Sequence, residues 1–341
     1  MMKTFGLGAV ASLSLLLSCS NLPLWAQASL PGEQRTNGYD VEAAFEPQRQ
    51  VLQGSSAVFY TGRKNFLYGV VMSEDGWILT KESDIHGAQD LSVRVDKNKY
   101  TEPKIMAKDG RWDLALVKID AEGLTPVTFA ESSAIPQGSW VIGNGSSSRA
   151  NRRVSIGIIS AKSRKIDGAA PVVMGVQLEE VENGLKINDV TADTGAAKAG
   201  LLKGDIITKF EGDTVLKRES LIEKILDNIP GDKVEVEYLR GGQKMTTEME
   251  LMAREDAFGE QQKSRNDQMS GDVSGRRNNF PRVLQTNLPL NSRTVGGPLL
   301  DLNGMCIGMN IARANRAESY AIPLEELKEI YHKLRKEASG N

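Results

Sequence analysis

From residue 55 onward, short apolar runs alternate with turn residues at close spacing. That texture predicts antiparallel strands building a barrel or sandwich. Strands are expected over 55–61, 68–72, 77–80, 91–95, 114–119, 140–142 and 154–161. The second and third flank Ser73-Glu74-Asp75-Gly76, where Asp-Gly between apolar runs marks a hairpin. Upstream, 29–53 is polar with a helical pattern over 41–52. Residues 172–252 differ. Strands are expected over 172–178, 184–190, 205–210, 233–239 and 244–251, with a short helix near 194–199. A second helix over 218–228 carries Leu221, Ile222, Ile225 and Leu226 on one face and stops at Pro230-Gly231. Residues 254–279 are polar, with Lys263, Arg265, Arg276 and Arg277 among them, and read as a flexible linker. From Phe280 the strand texture returns, with a hairpin about Asn303-Gly304. Two similar hairpins far apart in sequence suggest two similar barrels. Leu324, Leu327, Ile330, Tyr331 and Leu334 then line one face of a C-terminal helix opened by Pro323.

The first residues read as an export signal. Lys3 precedes an apolar run over 5–17, too short to span a bilayer, and Ala26-Gln27-Ala28 fits a small-x-small cleavage site. A second reading competes: Leu16-Leu17-Ser18-Cys19 resembles a bacterial lipobox, with lipid attached to Cys19. The expected location is periplasmic or extracellular, or that of a lipoprotein. Composition is ordinary for a globular chain, with 40% hydrophobic and 25% charged residues. A net charge of −2 argues against nucleic acid as a partner. Two cysteines and two histidines offer neither a disulfide framework nor a His-rich metal site, and no metal or organic cofactor is implied.

Several segments resemble the HtrA (Deg) family of exported trypsin-like serine proteases. These are 69–80 (GVVMSEDGWILT), 112–119 (WDLALVKI), 154–162 (VSIGIISAK), 296–304 (GGPLLDLNG) and 319–323 (SYAIP), in the family's order. The resemblance implies a mainly β fold, a trypsin-like double β-barrel. Serine proteolysis needs a nucleophile, a base and an orienting carboxylate in register. Asp113 stands at the family's aspartate position. The family's histidine position, three residues after Thr80, holds Ser83. The family's serine, directly before Gly296-Gly297-Pro298-Leu299, is Val295. Arg293 replaces a glycine that helps form the oxyanion hole. The resemblance is therefore to a catalytically degenerate member, with none of the family triad intact at Ser83, Asp113 and Val295. His86, Ser292 and Thr294 are the residues through which an unorthodox activity would have to run, while His332 on the C-terminal helix lies outside any site.

Residues 171–253 resemble a bacterial PDZ domain, an α+β module that here is inserted into the scaffold rather than following it. The likeness rests on Val173-Met174-Gly175-Val176, which is similar to a carboxylate-binding loop, on 196–207 (AAKAGLLKGDII) and on the helix over 219–226. It implies that an extended peptide adds as a strand after Gly175, with its terminal carboxylate on the loop amides and its last apolar side chain near Leu221, Ile222 and Ile225. The expected boundaries are a signal peptide at 1–28, an N-terminal extension at 29–54, scaffold at 55–165, PDZ domain at 171–253, linker at 254–279, and scaffold with the C-terminal helix at 280–337. Three functions follow: a pseudoprotease that binds peptides or protein C-termini, an active endopeptidase with unorthodox residues, or a structural component of an envelope complex. The family implies a homo-oligomer, which no residue here specifies.

Overall fold

In the computed structural model, the described residues are 30–35, 38–62, 64–145, 152–168, 172–258 and 269–340. The export signal, the cleavage site and Cys19 lie outside them. The polar N-terminal stretch forms α1 (Tyr39–Ala43) and α2 (Glu46–Ser55), with Pro47 in the first turn of the second, where its missing N–H costs nothing. Then come β1 (Ser56–Thr61), β2 (Lys64–Val71), β3 (Trp77–Lys81), the short α3 (Glu82–Ile85), β4 (Leu91–Val95), β5 (Asn98–Thr101), β6 (Lys104–Asp109) and β7 (Leu114–Lys118). They form one antiparallel sheet of seven strands in the order β5-β4-β1-β2-β3-β7-β6. Asp75-Gly76 sits in the β2–β3 turn, where the Trp77 indole N–H donates to Asp75 (2.9 Å).

The second half is a closed barrel. It contains β8 (Trp140–Asn144), β9 (Val154–Ile166), β18 (Phe280–Thr286), β19 (Pro298–Leu300), β20 (Cys306–Arg313) and β21 (Ser319–Pro323), in the order β18-β21-β20-β19-β8-β9. Two apolar clusters run through both halves. One joins Leu79 and Leu116 to Ile142, Leu300 and Met309; the other joins Phe59, Ile78 and Val117 to Val295, Leu299 and Ile307. The halves therefore share a core. The C-terminal helix (Leu324–Ser339) buries Leu324, Leu327, Ile330 and Leu334, as its periodicity predicts.

Between the paired strands β9 and β18 stands the α+β module. β10 (Val172–Val173) and β17 (Met252–Ala253) pair with each other at its stem. Its sheet runs β11-β12-β13-β15-β16, from β11 (Val176–Val181), β12 (Gly184–Val190), β13 (Ile206–Phe210), β15 (Lys233–Arg240) and β16 (Gln243–Glu250), with β14 (Asp213–Thr214) beside β13. The helices are α4 (Gly195–Lys198) and α5 (Arg218–Leu226). The strand expected over 172–178 is broken at Met174-Gly175, and Gly175 adopts φ +88°.

The module leans on the first sheet. The Gly110 N–H donates to the Asp227 carbonyl (3.3 Å), and Lys108 pairs with Asp232. A side chain at Gly110 would lie 2.6 Å from the carbonyls of Asp227 and Asn228, so the contact needs glycine there. The stretch expected as a flexible linker is ordered in its last part. Ser270, Ser274 and Arg276 are buried, held by hydrogen bonds into both halves of the scaffold.

Candidate functional site

Ser83 and Asp113 meet beside the end of β3 and the start of β7. β3 ends at Lys81, α3 begins at Glu82, and β7 pairs with β3 so that Lys81 lies opposite Leu114. Asp113 precedes β7 with φ +60°, an uncommon conformation for a residue with a Cβ, and its carbonyl accepts the Glu82 N–H (2.9 Å). Its carboxylate accepts the Ser83 backbone N–H (2.8 Å) on one oxygen and the Ser83 hydroxyl (3.0 Å) on the other. The aspartate thus holds the residue at the family's histidine position, but that residue has no imidazole to orient.

Lys81 is the member of this cluster that sequence reading missed. Its side chain is wholly buried, and its ammonium lies 2.6 Å from Ser83 Oγ, 3.0 Å from Asp84 and 3.4 Å from Asp113. Burial favours the neutral amine, but the Asp113 and Asp84 carboxylates outweigh it and hold Lys81 above the usual lysine range. A lysine held protonated cannot take a proton from Ser83. The cluster gathers one ammonium, two carboxylates and the Ser83 hydroxyl at the end of β3.

His86 does not reach it. Its ring is about half exposed, with Nδ1 3.5 Å from the Glu82 carboxylate, and the hydrogen-bonded partners of the Asp113 carboxylate are the backbone and hydroxyl of Ser83. His332 is exposed on the C-terminal helix beside Tyr331. Glu82 is buried under the docked module. Burial first, then the charges of Asp113 and Asp232, push its carboxyl up to about 8 against the pull of Lys108 and Arg276.

Val295 is completely buried, and its carbonyl accepts the Tyr68 N–H (3.0 Å). Gly296 follows at φ +90°, where a Cβ would stand 2.1 Å from the Tyr68 carbonyl. The sharp turn of the scaffold is therefore kept, with an apolar side chain in it. Thr294 spends its hydroxyl inside its own turn, on Asn291. The Arg293 N–H, at the position whose amide would stabilise an oxyanion, donates to Asn291 Oδ1 (2.9 Å). Ser292 Oγ donates to Asp272 (2.8 Å). Among the described residues, no group of three or more His, Cys, Asp or Glu side chains could hold a metal.

In the module, β11 is the outer strand of its sheet, and α5 lies beside β10 and β11. The Met174 and Gly175 carbonyls accept the Ala196 (3.1 Å) and Thr191 (2.8 Å) N–H groups. Neither the Met174 nor the Gly175 N–H is taken up by another residue's backbone among the described residues. A Cβ at Gly175 would lie 2.3 Å from the Thr194 side chain, so glycine is required by the fold as well as by any ligand. Met174, Leu221 and Ile225 belong to the module's apolar core, and Val176 packs against it half-buried. Ile222 stands apart at 39% exposure. Val173 pairs with Met252 in the stem.

Two family models match: a PDZ domain over residues 172–251 and a trypsin-like peptidase domain over 68–197. Of curated proteins, the chain is 24% identical over 265 residues to a probable periplasmic serine endoprotease DegP-like of Marinomonas sp., covering 54% of this chain and 56% of that one. It is 35% identical over 98 residues to the DegP-like protein of Pseudomonas savastanoi pv. phaseolicola, covering 29% and 20%. The chain spans about half the length, or less, of these curated relatives. A solved HtrA-type protease AlgW with decapeptide is 17% identical and matches 62% of this chain and 98% of its own, with a TM-score of 0.33. Fold and matches together define a trypsin-like peptidase scaffold that carries a PDZ domain. Within that class the chain is similar to HtrA/Deg-like proteins.

Proposed function

We propose that the chain is an exported HtrA-like pseudoprotease that captures peptides or protein C-termini along the β11 edge of its PDZ domain. The observation that carries the reading is the pair of amides at Met174 and Gly175 that no backbone carbonyl among the described residues takes up, at the head of the sheet's edge strand. An extended chain gains main-chain hydrogen bonds along such an edge, and a terminal carboxylate takes the amides. Leu221, Ile225 and Val176 supply the apolar floor for the last side chain. Export rests on the signal pattern over 1–28 and on relatives named as periplasmic.

Peptides with a free apolar C-terminus are expected to bind saturably, and the same peptides amidated to lose about tenfold or more in affinity, a loss of 1.4 kcal/mol or above. Isothermal calorimetry on the mature protein checks this; equal affinity of acid and amide forms would sink the reading.

Loss of catalysis rests on Val295 and Ser83 together. Val295→Ser alone is expected to leave peptide hydrolysis at background and the protein unlabelled by a fluorophosphonate probe. Ser83→His with Val295→Ser is also expected to fall at least about 100-fold short of an intact site, because the Arg293 amide is committed to Asn291. Labelling of the unaltered protein by the probe would overturn the pseudoprotease reading.

A further inference from the structure

The polar segment after the module bridges the two halves of the scaffold. Ser274 is its centre. The Ser274 N–H donates to the Arg313 carbonyl (3.0 Å), and the Arg313 N–H donates to Ser274 Oγ (2.9 Å). Arg313 ends β20, the strand whose Asn310 carbonyl accepts the Gly296 N–H (2.7 Å) next to Val295. Upstream, the Arg313 guanidinium donates to the Ser270 carbonyl (3.2 Å), and Asp272 accepts the Ser292 hydroxyl (2.8 Å). Downstream, Arg276 crosses to the other wall. Its guanidinium donates to the Gly110 carbonyl and to that of Arg111 (2.7 Å), and it stacks over Phe280 with 5.0 Å to the ring centroid. Gly110 and Arg111 lead directly into Asp113. The segment therefore touches the residues just before Val295 on one wall and just before Asp113 on the other.

We infer that residues 270–276 form an internal peptide strap that fills the cleft where an extended peptide would otherwise lie between the former catalytic halves. Three arguments carry this. The contact with Arg313 uses main-chain groups on the scaffold side, one accepting the Ser274 N–H and one donating to Ser274 Oγ, the kind of group an extended peptide would engage. The segment is polar, yet Ser270, Ser274 and Arg276 are each at most 8% exposed, so its order comes from seated hydrogen bonds rather than from an apolar core. The Arg276 charge sits among Asp113, Glu82 and Asp109, so the strap brings a cation to the aspartate that has lost its imidazole. With the strap in place, the cleft is closed to other chains, whatever the PDZ groove binds.

Hydrogen exchange on the full mature protein tests this directly. The Ser274 amide is expected to exchange about 100-fold or more slowly than in a free peptide of residues 269–279, the behaviour of a seated segment. Exchange of Ser274 at the free-peptide rate would overturn the proposal. A second measurement uses the variant Ser274→Ala/Arg276→Gln, checked by circular dichroism for folding. A fluorescent peptide of residues 269–279 is expected to bind this variant about tenfold or more tightly than the unaltered protein, because its site is vacated. Equal binding to both, or binding matched by a scrambled peptide, would also count against the strap.

Discussion

Lys81→Met is expected to destabilise the scaffold by about 3–5 kcal/mol, the usual cost of leaving buried charge without its partner. Lys81 is fully buried and is the ammonium shared by Asp113 and Asp84. Methionine matches its length but cannot offset either carboxylate. Adding Asp113→Asn to Lys81→Met is expected to recover part of the loss, because the uncompensated charge is then removed as well. Urea unfolding of the four proteins in this cycle gives the coupling. A loss under about 1 kcal/mol for Lys81→Met would mean that another cation holds Asp113. The double variant also distinguishes electrostatics from packing: if only packing mattered, Asp113→Asn would worsen the loss.

The second large effect is a dependence of stability on pH at the seam between module and scaffold. Glu82 has its carboxyl raised from 4.5 to about 8, and its Oε2 has no hydrogen-bond partner. The groups facing it are Asp113, Asp232, Lys108, Arg276 and His86. The folded protein holds this proton more tightly than the unfolded chain. Stability therefore falls as pH rises between the two values, and the penalty is complete above the higher one. The shift, about 3.5 pH units, corresponds to an upper bound on the order of 5 kcal/mol. Glu82→Gln is expected to flatten this slope and to make the protein more stable than the unaltered one at pH 9, with little difference at pH 4. Parallel pH–stability curves for the two proteins would remove Glu82 as the cause.

The hairpin turns at Asp75-Gly76 and Asn303-Gly304, the module's helices and the face of the C-terminal helix were legible because each carries a local signal: a turn residue or a 3.6-residue period. The absent histidine and serine were legible as identities. Lys81 was not. Every residue of β3 is buried, so the alternation that marks an inward face is missing, and a lysine at a strand end reads as solvated. β5 and β6 were missed because they are outer strands whose residues are largely exposed, so neither shows a buried apolar face. Residues 270–276 were read as linker because composition reports apolar burial, whereas Ser270, Ser274 and Arg276 of this segment are buried through hydrogen bonds to partners distant in sequence. Of the groove residues, Ile222 was grouped with Leu221 and Ile225 by helical spacing alone. The helix turns it outward.

The insertion between β9 and β18 also sets an order of events as the chain is made. These strands are neighbours in the finished barrel, yet the whole module and the strap lie between them. At roughly 5–20 residues per second, roughly a hundred intervening residues delay the arrival of β18 by about 5–20 s. During that interval β8 and β9 wait as an open hairpin with Ile142 and Ile156 uncovered, while the module, its own stem closed by β10 and β17, can already be complete. The barrel is thus the last part to close, and the strap is laid into the cleft only once the strand that follows it arrives.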